Sequence, residues 1–272
     1  HYLGISFAFN SVGGFFGGII VKILLNSSVP FPNNFGWGFI IMGVSMGLGV
    51  FIYLFYNVEN KLENTPHKTI ADFWHDTKMI IKTHENFKRY LLSRIFITAH
   101  FPAMSLYAVY TQELFGFKVS SAGIFIVLQV IAFGLGSILS GKFGDRWGHK
   151  TAITISFSGY LLAIMFTIFA TSMTHVYAIF LALGLGHGGF MPSAMNMVYE
   201  FAESRDSKTY MALIDTFLAP FVLLMIVSAS LLNPIIGTRN LFILSGILIA
   251  IGLLLLTFWV KEPRLHPHKM IS

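Results

Sequence analysis

Eight runs of mainly apolar residues, at 1–25, 35–56, 90–114, 119–139, 151–171, 176–197, 210–231 and 240–260, constrain this chain more than any other feature. A helix of roughly 20 such residues crosses the hydrocarbon core of a bilayer. In hydrocarbon every backbone N–H and C=O must find its partner internally, so runs of this length fold as helices. Strand-like alternation with a period of two is absent from them. Short connections rich in Asn, Pro, Gly and Ser, such as NSSVPFPNN and LLNPIIGT, separate several of the runs. Composition agrees: charged residues make up 11% of the chain, where a soluble domain carries about 25%. The expected fold is therefore an all-α polytopic membrane protein with eight transmembrane helices. With no cysteine in the chain, disulfides, thiolate metal sites and cysteine nucleophiles are excluded.

The basic residues orient these spans. One side collects Lys61, Lys68, Lys78, Lys82, Lys88, Arg89, Lys142, Arg146, Lys150, Arg205, Lys208, Lys261, Arg264 and Lys269, and the other only Lys118 and Arg239. A bias of fourteen to two assigns the first side to the cytoplasm. Basic residues flanking membrane spans explain the net charge of +6, so no nucleic-acid partner is implied. The layout is uneven, with two spans, a long connection at 57–89, then six closely spaced spans and a tail at 262–272. Within the connection, TIADFWHDTKMIIKTHEN sets Ile70, Phe73, Trp74, Ile80 and Ile81 on one helical stripe, with Lys68, Lys78 and Lys82 on the polar remainder. That pattern suits a helix lying in the membrane interface, in contact with lipid, and equally a short helix packed under the bundle.

Between the fourth and fifth spans lies GKFGDRWGHK, residues 141–150. It resembles the cytoplasmic signature of the major facilitator superfamily, G-x-x-x-D-R-x-G-R-R/K. Gly141, Asp145, Arg146, Gly148 and Lys150 match, and His149 stands where Arg or Lys is usual. In this family the signature follows the second helix of each six-helix half. With 57–89 as the central linker, residues 90–261 are a complete C-terminal six-helix bundle, and 1–56 are helices five and six. The chain begins inside an apolar run without Met, and the resemblance implies a longer protein with four preceding helices, without which transport is not expected. VGGFFGGII in the first span is similar to the G-P-x-x-G-G element of the family's antiporters, but Gly14 replaces the proline, and glycines spaced by four equally suit plain helix packing.

The resemblance implies alternating-access transport of a small solute held between two halves, either coupled to protons or facilitative. It implies that Asp145 latches the cytoplasmic side against the start of helix five, around residues 1–5, with Arg146 and Lys150 in support. The rival is a membrane receptor or scaffold that keeps the fold without transport. The host is expected to be the plasma membrane, with linker and C-terminus cytoplasmic.

Polar groups inside apolar spans are functional candidates because they are costly there. Asp215, in MALIDTFLAP ahead of Pro220, is a candidate to carry a coupling proton. His100 lies in RIFITAHFPAM before Pro102, and His187 in LGLGHGGFMP before Pro192. Their spans correspond to helices seven and ten, which line the family's central cavity, and imidazole exchanges protons near neutrality. Proline and glycine beside both histidines suggest loosened backbone there. Gln129 and Asn196 are further candidates, although amides in membranes often bridge helices. Lys22 is expected either to snorkel to the outer edge or to meet an anionic solute. Arg94, close to the cytoplasmic edge, is expected to snorkel. Metalloprotease, P-loop and serine-hydrolase motifs are all missing. Neither an enzyme activity nor a cofactor is expected.

Overall fold

The structure, a computed structural model, describes residues 2–30, 32–55, 69–202 and 207–265. Lys61, Lys68, Arg205, Lys269 and His1 lie outside the described residues, as do residues 57–68 of the connection and 266–272 of the tail. The helices are α1 (Tyr2–Asn26), α2 (Asn33–Tyr53), α3 (Ile70–Thr83), α4 (Glu85–Ile97), α5 (His100–Phe115), α6 (Ala122–Trp147), α7 (His149–Ile168), α8 (Met173–Ala202), α9 (Ser207–Ile236) and α10 (Thr238–Phe258). No strand occurs among the described residues.

Seven described helices, α1, α2 and α6–α10, are long and apolar enough to cross a membrane. The remaining expected span, 90–114, is not one helix but two, because α4 stops at Ile97 and α5 starts at His100. Pro102 explains the break. It has no N–H for the carbonyl of Thr98, four residues back, and its ring crowds that carbonyl. The N–H of Phe101 takes the Thr98 carbonyl instead, at 3.0 Å.

α6, α7 and α8 form the densest part of the molecule, held by small residues that let backbones approach. A Cβ on Gly188 would collide with the backbone of Phe133 on α6, and one on Gly186 would come within 2.9 Å of the Ser156 carbonyl on α7. The approach is stitched by hydroxyls. Ser137 donates to the carbonyl of Gly188 at 2.9 Å, and Ser140 lies 2.5 Å from both the Gly189 carbonyl and the Ser193 hydroxyl. Small residues at Gly4, Ser11 and Gly18 of α1 face Ser137, Gly134 and Val127 of α6 in the same manner. The apolar core continues through α4, α5 and α10, around Phe87, Tyr107, Phe157, Phe201 and Phe242. By contrast, α2 buries no residue at all.

α3 begins with a capping box. The Thr69 hydroxyl accepts from the N–H of Asp72, whose carboxylate accepts from the Thr69 N–H at 2.8 Å. Its apolar stripe divides: Ile80 is buried, while Ile70 is 79% and Trp74 50% exposed. The helix is thus packed under the bundle along one face and open along another.

Candidate functional site

The break between α4 and α5 sets the centre of the site. It frees the carbonyl of Ile97, and the His100 ring takes it, with Nδ1–H donating at 2.7 Å. This contact fixes the tautomer and holds the buried imidazole against Tyr160 of α7, ring centroids 4.9 Å apart. The Tyr160 hydroxyl lies 2.9 Å from Nδ1 of His187 on α8. Tyr160 is fully buried and no other hydrogen bond engages its hydroxyl among the described contacts. With the phenol donating, the His187 proton sits on Nε2. One tyrosine therefore joins the two histidines into a single cluster across α5, α7 and α8. His187 and the neighbouring Phe133 ring, 5.5 Å away, are only half-buried, so the cluster is open on the α6–α8 side.

The glycines flanking His187 do not loosen α8, which runs unbroken through Pro192. They bring α6 and α7 close, which leaves the imidazole projecting beside two tightly held neighbours. The loosened backbone is instead at Thr98 and Ala99.

Arg94 does not snorkel. It is 8% exposed, donates from Nη1 to the Tyr90 hydroxyl at 2.9 Å, and lies 4.5 Å from the centroid of the Phe190 ring. Phe157 connects it to the histidines, at 6.0 Å from the guanidinium and 6.1 Å from the His100 ring.

The signature 141–150 is less a loop than its polar composition suggests. α6 continues through Trp147 and α7 starts at His149, so Gly148 alone makes the turn, at φ 95°. Only glycine adopts that conformation readily, and the Glu262 carboxylate fills the space where a side chain would stand. Glu262 also accepts from the N–H of Lys150 at 3.1 Å. The Lys150 ammonium donates to the carbonyls of Thr257 and Val260, both at 2.8 Å, closing the end of α10. Arg264 donates to the Asp145 carbonyl at 3.0 Å, and buried His149 lies 3.9 Å from Glu200. Arg146 points outward over the Trp147 ring at 5.4 Å. Gly141 meets the start of α1, where a Cβ on Gly4 would lie 3.3 Å from its Cα.

The other sequence candidates are scattered. Asp215 lies exposed on α9, and Lys22 is exposed where α1 crosses Gly123 of α6. Gln129 on α6 and Asn196 on α8 are half-buried, and neither joins the histidine cluster by any described contact. An apolar cavity of about 700 Å³ between α1 and α2, with Gly14, Phe35 and Met42 among its walls, is lined by none of the candidate residues. No group of metal-ligating side chains occurs among the described residues. Sequence reasoning missed Tyr160, Glu200 and Glu262. The first had a signal: tyrosines in membrane helices prefer the interfaces, so one in mid-span needs a partner.

A model of the Major Facilitator Superfamily matches residues 89–271. The niacin transporter NiaP of Acinetobacter baylyi is 27% identical over 128 residues, covering 47% of this chain and 29% of that protein. The 4-hydroxybenzoate transporter PcaK of Pseudomonas putida is 26% identical, covering 59% of this chain and 36% of that one. An uncharacterized MFS-type transporter of Bacillus subtilis, YuxJ, is 31% identical over 60% of this chain and 42% of its own length. Each match thus spans less than half of the relative.

Proposed function

The chain belongs to the Major Facilitator Superfamily, and from that premise we propose that it serves the movement of a small solute across a membrane by alternating access. The observation that carries this reading is the convergence of His100, Tyr160 and His187 inside an apolar helix bundle. Such groups are costly in a membrane unless they serve a solute, an ion or one another. The similarity to niacin and 4-hydroxybenzoate transporters narrows the solute class. Both compounds are single aromatic rings bearing a carboxylate, so the reading favours small aromatic carboxylic acids.

In this reading the Tyr160–His187 pair exchanges the coupling proton, and Asp215 is a second carrier exposed on α9. The end bearing Gly141, Asp145, Arg146, Gly148 and Lys150 faces the cytoplasm of a cell whose plasma membrane holds the protein, in keeping with the charge bias. There Gly141 meets the start of α1 and acts as a gate contact.

Uptake assays decide the matter. Cells expressing the full coding sequence should accumulate labelled 4-hydroxybenzoate or niacin with saturation, and a protonophore or His187→Ala should abolish accumulation. Uptake equal to vector controls, with the protein present in the membrane, would reject transport of this class. Binding without uptake would favour a receptor. Asp215→Asn with unchanged uptake would remove that carboxylate from the proton path.

A further inference from the structure

Arg94 is a cation buried without an anion. No carboxylate lies within ion-pair distance of it among the described residues, and its Nε has no hydrogen-bond partner. A guanidinium does not shed its proton on burial, and a buried unpaired charge is expensive. Aromatic faces return part of that cost. Phe190 lies at 4.5 Å, Tyr90 at 5.7 Å and Phe157 at 6.0 Å from the guanidinium carbon. Rings stabilise the charge but accept no N–H in the guanidinium plane. The Tyr90 hydroxyl engages Nη1, which leaves the Nε edge unserved. An orphaned donor on a buried cation calls for an explanation.

The surroundings offer no internal answer. His100 has committed Nδ1 to the Ile97 carbonyl, and Tyr160 is engaged with His187. All the ionisable groups gathered here, Arg94, His100 and His187, are neutral or cationic. What complements such a set is an anion with two oxygens in a plane, the shape the guanidinium edge accepts through two parallel hydrogen bonds. Phe190, half-buried, lies with its ring centroid 4.5 Å from the guanidinium carbon and supplies a flat apolar surface at the same group.

We propose that Arg94 anchors the carboxylate of the transported acid, with Phe190 packing against its aromatic ring. This rests on the transport reading above and adds the residue that makes an anion the solute. Arg94 also supplies a physical reason for Tyr90: its hydroxyl, one helical turn back on α4, holds the guanidinium in place.

Calorimetric titration of the purified protein in detergent with benzoate and with benzamide tests the proposal. Wild type should bind benzoate and discriminate against benzamide. Arg94→Gln should weaken benzoate about 30-fold, as expected for loss of a charged hydrogen-bonded pair. Arg94→Lys, which keeps the charge but loses the fork, should weaken it about tenfold. Equal affinity for benzoate and benzamide overturns the proposal, as does a folded Arg94→Gln variant that binds benzoate like wild type. If Arg94→Gln does not fold, Arg94→Lys carries the test, and unchanged affinity there overturns it equally. Failure to bind benzoate, alongside saturable uptake of an uncharged solute by cells, would sink the anchor while leaving transport standing.

Discussion

Two ionisable clusters share α7 and α8, and they are built on opposite principles. At the signature end, acids and bases occur together: Glu262 with Lys150, Glu200 with His149, and Arg264 on the Asp145 backbone. In the bundle interior, Arg94, His100 and His187 gather with aromatic rings and no acid. The first cluster ties α6, α7 and α10 together through contacts between opposite charges and to backbone carbonyls. The second holds a buried guanidinium with no acid beside it, which the proposal above assigns to a solute. Damage to the first should therefore appear as lost stability, and damage to the second as lost solute handling.

The largest stability effect is expected at Gly148. A valine there would meet a positive φ and the Glu262 carboxylate together, costing about 3 kcal/mol. Thermal melting in detergent should show the drop, with benzoate affinity unchanged wherever the protein is still folded. A melting point equal to wild type would remove Gly148 and Glu262 from the role given to them.

Lys150→Met comes next. It removes two donors from the end of α10 and leaves the Glu262 carboxylate without its neighbouring cation, for a loss of about 2 kcal/mol. The same melt measures it. If benzoate binding fell in step with stability, the separation of the two clusters would be wrong.

How much of this was legible follows from which signals are local. Spans are set by runs of apolar side chains, and the signature by contiguous residues, so both are open to inspection in the sequence. The pairing of Glu262 with Gly148 joins residues more than a hundred positions apart, and no local pattern announces it. Arg94 misled because Lys88 and Arg89 precede it closely and suggest a membrane edge. Its fate was decided by the face it shares with Tyr90 and by rings arriving from α7 and α8. The prolines misled in the other direction. Pro102 interrupts its span and so comes to lie in the first turn of α5, where its missing N–H is tolerated, whereas Pro192 is absorbed within a helix pinned on two sides.

Tyr160→Phe sharpens the contrast from the interior. It deletes one hydroxyl and little volume, so stability should fall by only about 1 kcal/mol. Solute uptake should fall about tenfold, the equivalent of a single lost hydrogen bond at the functional step. A variant that melts much earlier but transports normally would reassign Tyr160 to the structural cluster.

The smallest effect is expected at Arg146, a match to the family signature. Its guanidinium lies over the exposed Trp147 ring and makes no described hydrogen bond to α1, α8 or α10. Exposed contacts of this kind contribute little, so Arg146→Ala should leave stability within ~0.5 kcal/mol of wild type. If its role is to engage another surface during the transport cycle, uptake must nonetheless fall while melting and benzoate affinity hold. That triple readout separates it from Lys150, whose loss moves melting, and from Tyr160, whose loss moves uptake from the interior. An Arg146→Ala protein indistinguishable from wild type in all three would show that matching the signature does not make a residue part of the gate.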